Sequence, residues 1–379
     1  MTAARRLWLT LHTYLGLSIG LVWVLLGLTG SILVFYLQLD LWLNPEIDTQ
    51  SSSTVNEQQA VLNVLHEHFP ERLGSWRIEQ PLHDGWPIMV RYYTPIESKN
   101  KLFAPLMVTL DPETLRVTSD RFWGEFAMTW IYNLHFTLLL DKTGLTIIGI
   151  FGLVSLISLI SGLMIWWPGW RRLGKALRLQ LRQGVAKKVF DIHALSGSYG
   201  LVVLLMLSLT GAALALPDET RIFIKPFSSI YKSPDVFMHT PASNNQTNLL
   251  DADDAVRMAL KQFPEAELRW VESPGKYKNS WRIILYQQGE PSRRFPRTQV
   301  WINAQSKQIM AVRDGLNETA GDTLLNWLHP LHNGEVFGLP GRIIVFITGL
   351  LPLILFITGV MRCQQKRRAK QRSALRHLS

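Results

Sequence analysis

Four histidines stand in two matched pairs along this 379-residue chain. His12 is followed by Gly16 and then by Thr29 and Gly30; His193 is followed by Gly197, Thr210 and Gly211 at the same offsets. His135 lies between Trp130 and the glycines Gly144, Gly152 and Gly162, and His332 lies between Trp327 and Gly341, Gly349 and Gly359, again at identical spacings. Each histidine opens an apolar stretch. Ionisable side chains are expensive in or beside a bilayer, so matched ones point to function, and imidazole is a common axial ligand of haem iron. Two matched pairs on duplicated segments are what a haem-carrying membrane electron conduit built by internal duplication requires.

The elements that must position these residues follow from composition. Nearly half the residues are hydrophobic, and they are concentrated in four almost uncharged stretches of the roughly 20 residues needed to cross a bilayer. The expected division is a first transmembrane helix in 1–36, a periplasmic domain in 37–143, a second helix in 144–167, a basic cytoplasmic loop in 168–191, a third helix in 192–216, a second periplasmic domain in 217–340, a fourth helix in 341–361 and a basic cytoplasmic tail in 362–379. The apolar run that follows Arg5 and Arg6 is longer than the apolar core of a secretory signal, so it is expected to remain as the first span.

The formal net charge of +10 suggests nucleic acid until it is mapped along the chain. The N-terminus, the 168–191 loop and the tail hold sixteen basic residues and a single acid, Asp191, whereas 37–143 and 217–340 carry fourteen acids each. Basic residues gathered beside spans follow the positive-inside rule, which predicts a multi-pass membrane protein with both termini cytoplasmic and no nucleic-acid partner. Both halves then begin and end on one side, as parallel repeats related by an axis along the membrane normal, so matched residues share a depth. The one cysteine, Cys363, excludes disulfides, cysteine-ligated iron–sulfur clusters and covalent C-x-x-C-H haem attachment.

The two external segments resemble each other. A helix near 57–60 runs to Phe69-Pro70, and another near 253–255 runs to Phe263-Pro264. Short β-rich runs follow: Trp76–Ile78, Ile88–Tyr93 and Leu106–Leu110 in the first, and Leu268–Val271, Trp281–Tyr286 and Thr298–Ile302 in the second. Asp111-Pro112-Glu113-Thr114 and Asn303-Ala304-Gln305-Ser306 have turn composition. Each segment is expected to fold as a helix on a small antiparallel sheet.

The opening Arg5-x6-His12-x3-Gly16, Leu134-His135 with its glycine-spaced span, Ser161-Gly162 ahead of Trp166-Trp167, and Pro330-Leu331-His332-Asn333-Gly334 leading into Phe337-Gly338-Leu339-Pro340-Gly341 carry a family resemblance. On these residues the chain resembles the PepSY-associated transmembrane proteins of bacteria, some of which are described as siderophore reductases of the ferrioxamine-reductase type. The resemblance implies a membrane α-helical fold, with four transmembrane helices as two parallel repeats and two external α+β PepSY-like domains. It also implies the bacterial inner membrane, haem b and reduction of a ferric siderophore in the periplasm.

Repeat symmetry pairs His12 with His193 near the cytoplasmic face and His135 with His332 near the external face, which calls for two haems. His329, one helical turn before His332, is an alternative outer ligand. A zinc or copper site is the competing metal reading, although no histidine has a carboxylate or cysteine at familiar ligand spacing. His66, His68, His83, His239 and His377 read as surface residues. Trp123, Phe126, Trp130 and Trp327 either wall a site or pack a core, and Trp166, Trp167 and Trp170 read as an interfacial aromatic belt. Arg293, Arg294 and Arg297, in a segment that also holds Tyr277, are weak candidates for contact with an anionic or oxygen-rich chelate. With no nucleotide-binding motif, electrons are expected from quinol or from a separate cytoplasmic reductase. The alternative function is a membrane-anchored PepSY binding or regulatory module without redox activity. A ferric-chelate transporter is disfavoured by spans that lack buried acids and contain one clear interior proline, Pro352.

Overall fold

The structure, a computed structural model, describes residues 3–47, 57–178, 184–233, 249–276 and 278–376. Arg182, His239, Tyr277 and His377 lie outside the described residues. In chain order the first helices are α1 (Ala3–Leu33), α2 (Tyr36–Leu43), α3 (Gln58–His68), α4 (Ala127–Thr137), α5 (Asp141–Trp166) and α6 (Leu173–Ala176). They are followed by α7 (Val185–Ala215), α8 (Pro217–Ile224), α9 (Ala252–Gln262), α10 (Ala320–His332) and α11 (Gly338–Arg376). The strands are β1 (Trp76–Glu79), β2 (Ile88–Tyr92), β3 (Leu106–Leu110) and β4 (Val117–Phe122), then β5 (Glu267–Glu272), β6 (Ser280–Tyr286), β7 (Thr298–Asn303) and β8 (Ile309–Arg313).

The chain divides into two compact units. In the first, α1, α5, α7 and α11 are each long and apolar enough to cross a bilayer, so the protein is a multi-pass membrane protein. Helix α1 packs on α5 and α11, and α7 packs on the same two helices, closing a four-helix ring. Small residues let the helices approach closely. Gly27 abuts the Gly349 backbone where α1 crosses α11, and Gly152 meets Ser208 and Ala212 where α5 crosses α7. Ser31 adds a hydrogen bond to the Phe346 carbonyl at 2.8 Å. Leu159, Leu204 and Leu355 form the buried centre of the ring.

The spans differ from expectation at their ends. Helix α11 runs through the basic segment expected as a separate tail, because Lys, Arg, Gln and Ala are strong helix formers and no Gly or Pro interrupts 360–376. Helix α7 likewise takes in the end of the expected loop, with Lys187 paired to Asp191 one turn on. His135 and His332 lie near the ends of separate short helices, α4 and α10. The chain then reverses, through Leu138, Leu139 and Asp141 at positive φ in one place and Gly334 and Gly338 in the other. Gly144 presses on the Thr137 carbonyl, and Gly341 presses on that of Gly334, where no Cβ fits.

The second unit corrects the expectation of two separate external domains. Its strands form one eight-stranded antiparallel sheet in the order β4-β3-β2-β1-β5-β6-β7-β8. The halves join where β1 pairs with β5, with Ile78 opposite Val271 and Arg77 opposite Glu272. Neither half could have closed this edge alone, and an unpaired edge offers a row of unmet hydrogen-bonding groups. One core serves both halves, with Val61, Leu65, Trp76, Ile78, Val271 and Ile283 among its buried members. Helices α3 and α9 cap each other: Gln58 N–H donates to Asp253 Oδ1 at 2.7 Å, and Ala252 N–H donates to Gln59 Oε1 at 3.0 Å. The sequence expectation lacks the edge strands: β4 mixes polar and apolar residues, whereas β8 is mostly apolar but short and half-exposed.

At the seam Glu272 binds Arg77 at 2.5 Å, Lys278 at 3.2 Å and Arg282 at 3.4 Å. Burial pushes its carboxyl up, but the three cations outweigh burial and hold it down to about 2. Arg77 also lies over the Trp270 ring at 4.2 Å. The seam is thus tied by charge as well as by its ladder.

Candidate functional site

The membrane unit brings the four matched histidines together in two pairs. The ring centroids of His12 and His193 are 6.1 Å apart, and those of His135 and His332 are 6.3 Å apart. Two imidazoles bound end-on to one metal from opposite sides, with bonds of about 2 Å and each nitrogen roughly 1.1 Å from its ring centre, place their centroids roughly 6.2 Å apart. Both pairs have that separation. Thr29, which holds His135, lies seventeen residues after His12 on α1, about 25 Å along the axis, so the pairs occupy opposite ends of the bundle.

Hydrogen bonds orient every ring. His135 Nδ1 meets Thr29 Oγ1 at 3.0 Å, and His332 Nδ1 meets Thr210 Oγ1 at 2.9 Å. Those threonines donate their own hydrogens to Leu25 and Met206 carbonyls, each at 2.7 Å, so each hydroxyl is left to accept from the ring. His193 Nδ1 meets Thr358 Oγ1 at 2.9 Å, and Thr358 donates to the Ile354 carbonyl at 2.6 Å. His12 Nδ1 donates to the Ser158 carbonyl at 3.1 Å and reaches Ser161 Oγ at 3.2 Å. All four Nδ1 atoms therefore carry the proton, and every Nε2 keeps its lone pair. Such outer partners are what fix the tautomer and angle of a metal-binding imidazole.

Glycines make room for the rings. A Cβ at Gly30 would stand 2.9 Å from His135 Cε1, at Gly162 3.0 Å from His12 Cε1, and at Gly211 3.0 Å from His332 Cε1. Gly359 is looser, at 3.6 Å from His193 Cε1. The same contacts recur at matched sequence offsets in the two halves.

A cavity of about 430 Å³ opens beside His12 and His193. Its walls include Gly16, Gly20, Gly162, Gly197 and Gly359. Among the described residues, no group of three or more His, Cys, Asp or Glu side chains converges on a point. Two imidazoles at this separation suit a metal whose other ligands come from a flat macrocycle.

The remaining sequence candidates are placed differently. His329 Nδ1 faces Asn333 at 3.5 Å, while it is His332 that stands opposite His135. The three arginines do not form an open cationic patch. Arg293 is paired to Glu267 at 2.8 Å, Arg294 lies over Tyr36 and Phe295, and Arg297 is tucked in with its backbone N–H on Glu290. Trp123 packs in the sheet unit, stacked on Tyr36 at 6.2 Å. Sequence reading gave no role to the hydroxyls of Ser161, Thr29, Thr210 and Thr358. Thr29 and Thr210 stood in the repeated motif, but the Ser-to-Thr change between positions 161 and 358 concealed the other match.

No curated protein matches this sequence. The profile of the PepSY-associated TM region matches residues 9–366, nearly the whole length, and the chain belongs to that family.

Proposed function

We propose that the protein is an inner-membrane oxidoreductase that holds two haems b, one between His12 and His193 and one between His135 and His332, and passes electrons across the bilayer to Fe(III) in a siderophore. The observation that carries this reading is the pairing itself: two imidazole pairs at ligating separation, with all four Nδ1 protons engaged. The bound groups would supply reversible one-electron carriers. The protein's own part is to present Nε2 lone pairs from two sides, to fix their tautomers through hydroxyls and carbonyls, and to clear ring space with glycine. A rise of about 25 Å between the pairs matches most of the roughly 30 Å hydrocarbon thickness, which supports a carrier near each face.

The direction of transfer rests on charge and resemblance. Positive segments at 5–6, 168–191 and 362–379 support a cytoplasmic His12–His193 end and a periplasmic sheet unit. The 168–191 loop is too short to fold a nucleotide domain, which supports quinol or a separate reductase as donor. Reduction releases iron because Fe(II) binds oxygen-donor chelators far less tightly than Fe(III). The descent of the two halves from one ancestral unit accounts for the matched offsets.

The test is the absorbance spectrum of the full chain purified from cells with ample haem. A six-coordinate, low-spin haem spectrum is expected, falling by one haem per chain in His12→Ala and by the other in His135→Ala. Dithionite-reduced protein should reoxidise when mixed anaerobically with ferric siderophores. Protein without a haem band ends this reading and leaves the membrane-anchored binding or regulatory module.

A further inference from the structure

The cavity at the His12–His193 pair is not uniform along its length. Arg5 lies two helical turns before His12 on α1, and Arg362, Lys366 and Arg367 follow Gly359 on α11; all four line the cavity. On the other side of the histidines its wall is apolar, with Trp23, Leu201, Pro352 and Phe356. No acidic side chain is among the lining residues. Arg362 is steadied by bonds from Nη1 to the Ala186 carbonyl at 3.2 Å and Gln365 Oε1 at 3.3 Å, and it lies 5.2 Å over the Phe190 ring. Lys366 is near enough to act electrostatically on His12, and Arg362 on His193.

Cations of one sign at the mouth of a low-dielectric cleft focus a positive potential that calls for an anionic ligand group. The ligand must also carry a large apolar body toward Trp23 and Phe356. We infer that Arg5, Arg362, Lys366 and Arg367 bind the two carboxylates of the haem at this site and so fix its orientation, with carboxylates toward the basic end and the apolar edge toward Trp23. This rests on the haem reading above. Charge-assisted bonds to a carboxylate are among the stronger ones available, and arginine's fork matches that geometry.

The experiment uses full-length protein in detergent micelles, with His135→Ala and His332→Ala so that only this site loads, stripped of haem. It is titrated with haemin and with haemin dimethyl ester, whose carboxylates are blocked, while the low-spin absorbance band is followed. Haemin is expected to bind roughly tenfold or more tighter than the ester. The Arg362→Gln/Lys366→Gln variant should lose that preference while binding the ester as before, which also shows that it is folded. Equal affinity for the two ligands before substitution, or a preference that survives it, overturns the inference while leaving the haem reading intact. If neither ligand gives a bis-imidazole spectrum, the haem reading and this inference fail together. Should the variant bind neither ligand, the comparison in the unsubstituted rim decides alone, because esterification tests the same contacts from the ligand side.

Discussion

Thr210 accepts the Nδ1 proton of His332 at 2.9 Å because its own hydrogen is already given to the Met206 carbonyl. One hydroxyl thereby satisfies its helix and sets the imidazole's tautomer. Thr29 does the same for His135 through the Leu25 carbonyl. Replacing Thr210 by Val keeps the shape and removes the acceptor, so haem affinity at the outer pair should fall about 10- to 100-fold. Thr210→Ser should retain most of it. Haem titration of the stripped protein with His12→Ala in the background isolates that site.

Ring clearance grades the glycines. Gly30→Val should push on His135 and lose the outer haem, and Gly162→Val should do the same at the inner pair, since even a Cβ stands within 3.0 Å of each ring. Gly359→Ala should be tolerated, because its Cβ would meet His193 at an ordinary 3.6 Å. Haem-to-protein ratios of the purified variants distinguish these outcomes, and similar loss in all three would contradict the clearance argument.

The two pairs differ in ring angle, 81° for His12 with His193 and 50° for His135 with His332. If each pair holds a haem as proposed, the nearly perpendicular His12–His193 rings would give the more anisotropic low-spin electron paramagnetic resonance signal. His193→Ala should abolish that signal and spare the other. Two indistinguishable signals would contradict it.

The seam of the sheet should be sensitive to acid. Glu272 is 10% exposed and its carboxyl is depressed from 4.5 to about 2. A depressed carboxylate contributes stability above its unfolded value, and that contribution is lost as pH falls from there toward 2. Glu272→Gln should cost about 3 kcal/mol near neutral pH by leaving Arg77, Lys278 and Arg282 without their counter-charge. Its melting temperature should then fall less between pH 6 and pH 3 than that of the unsubstituted protein. Thermal unfolding followed by near-ultraviolet circular dichroism provides the measurement; equal acid sensitivity would remove Glu272 as its source.

Much of this was legible in the residue order. Four uncharged stretches could do little in water, and their periodic glycines and matched histidines stood out without a fold. The helices ending at Phe69-Pro70 and Phe263-Pro264, and six of the strands, followed from proline stops and β-branched runs. Less was legible of the site's support: Ser161 and Thr358 are ordinary helix residues until a ring from another helix lies against them.

By itself the sequence determined which segments enter lipid and which histidines correspond, because hydropathy and spacing are local properties carried along the chain. Three things were decided only in the tertiary structure. The two polar segments close on each other as one sheet through β1 and β5, a pairing between strands some two hundred residues apart that no local pattern encodes. The matched rings come to 6.1 and 6.3 Å from each other, a separation that spacing along the chain cannot set. Each Nδ1 finds its acceptor on a different helix. Long-range partners are chosen by packing, and packing exists only once the helices have met.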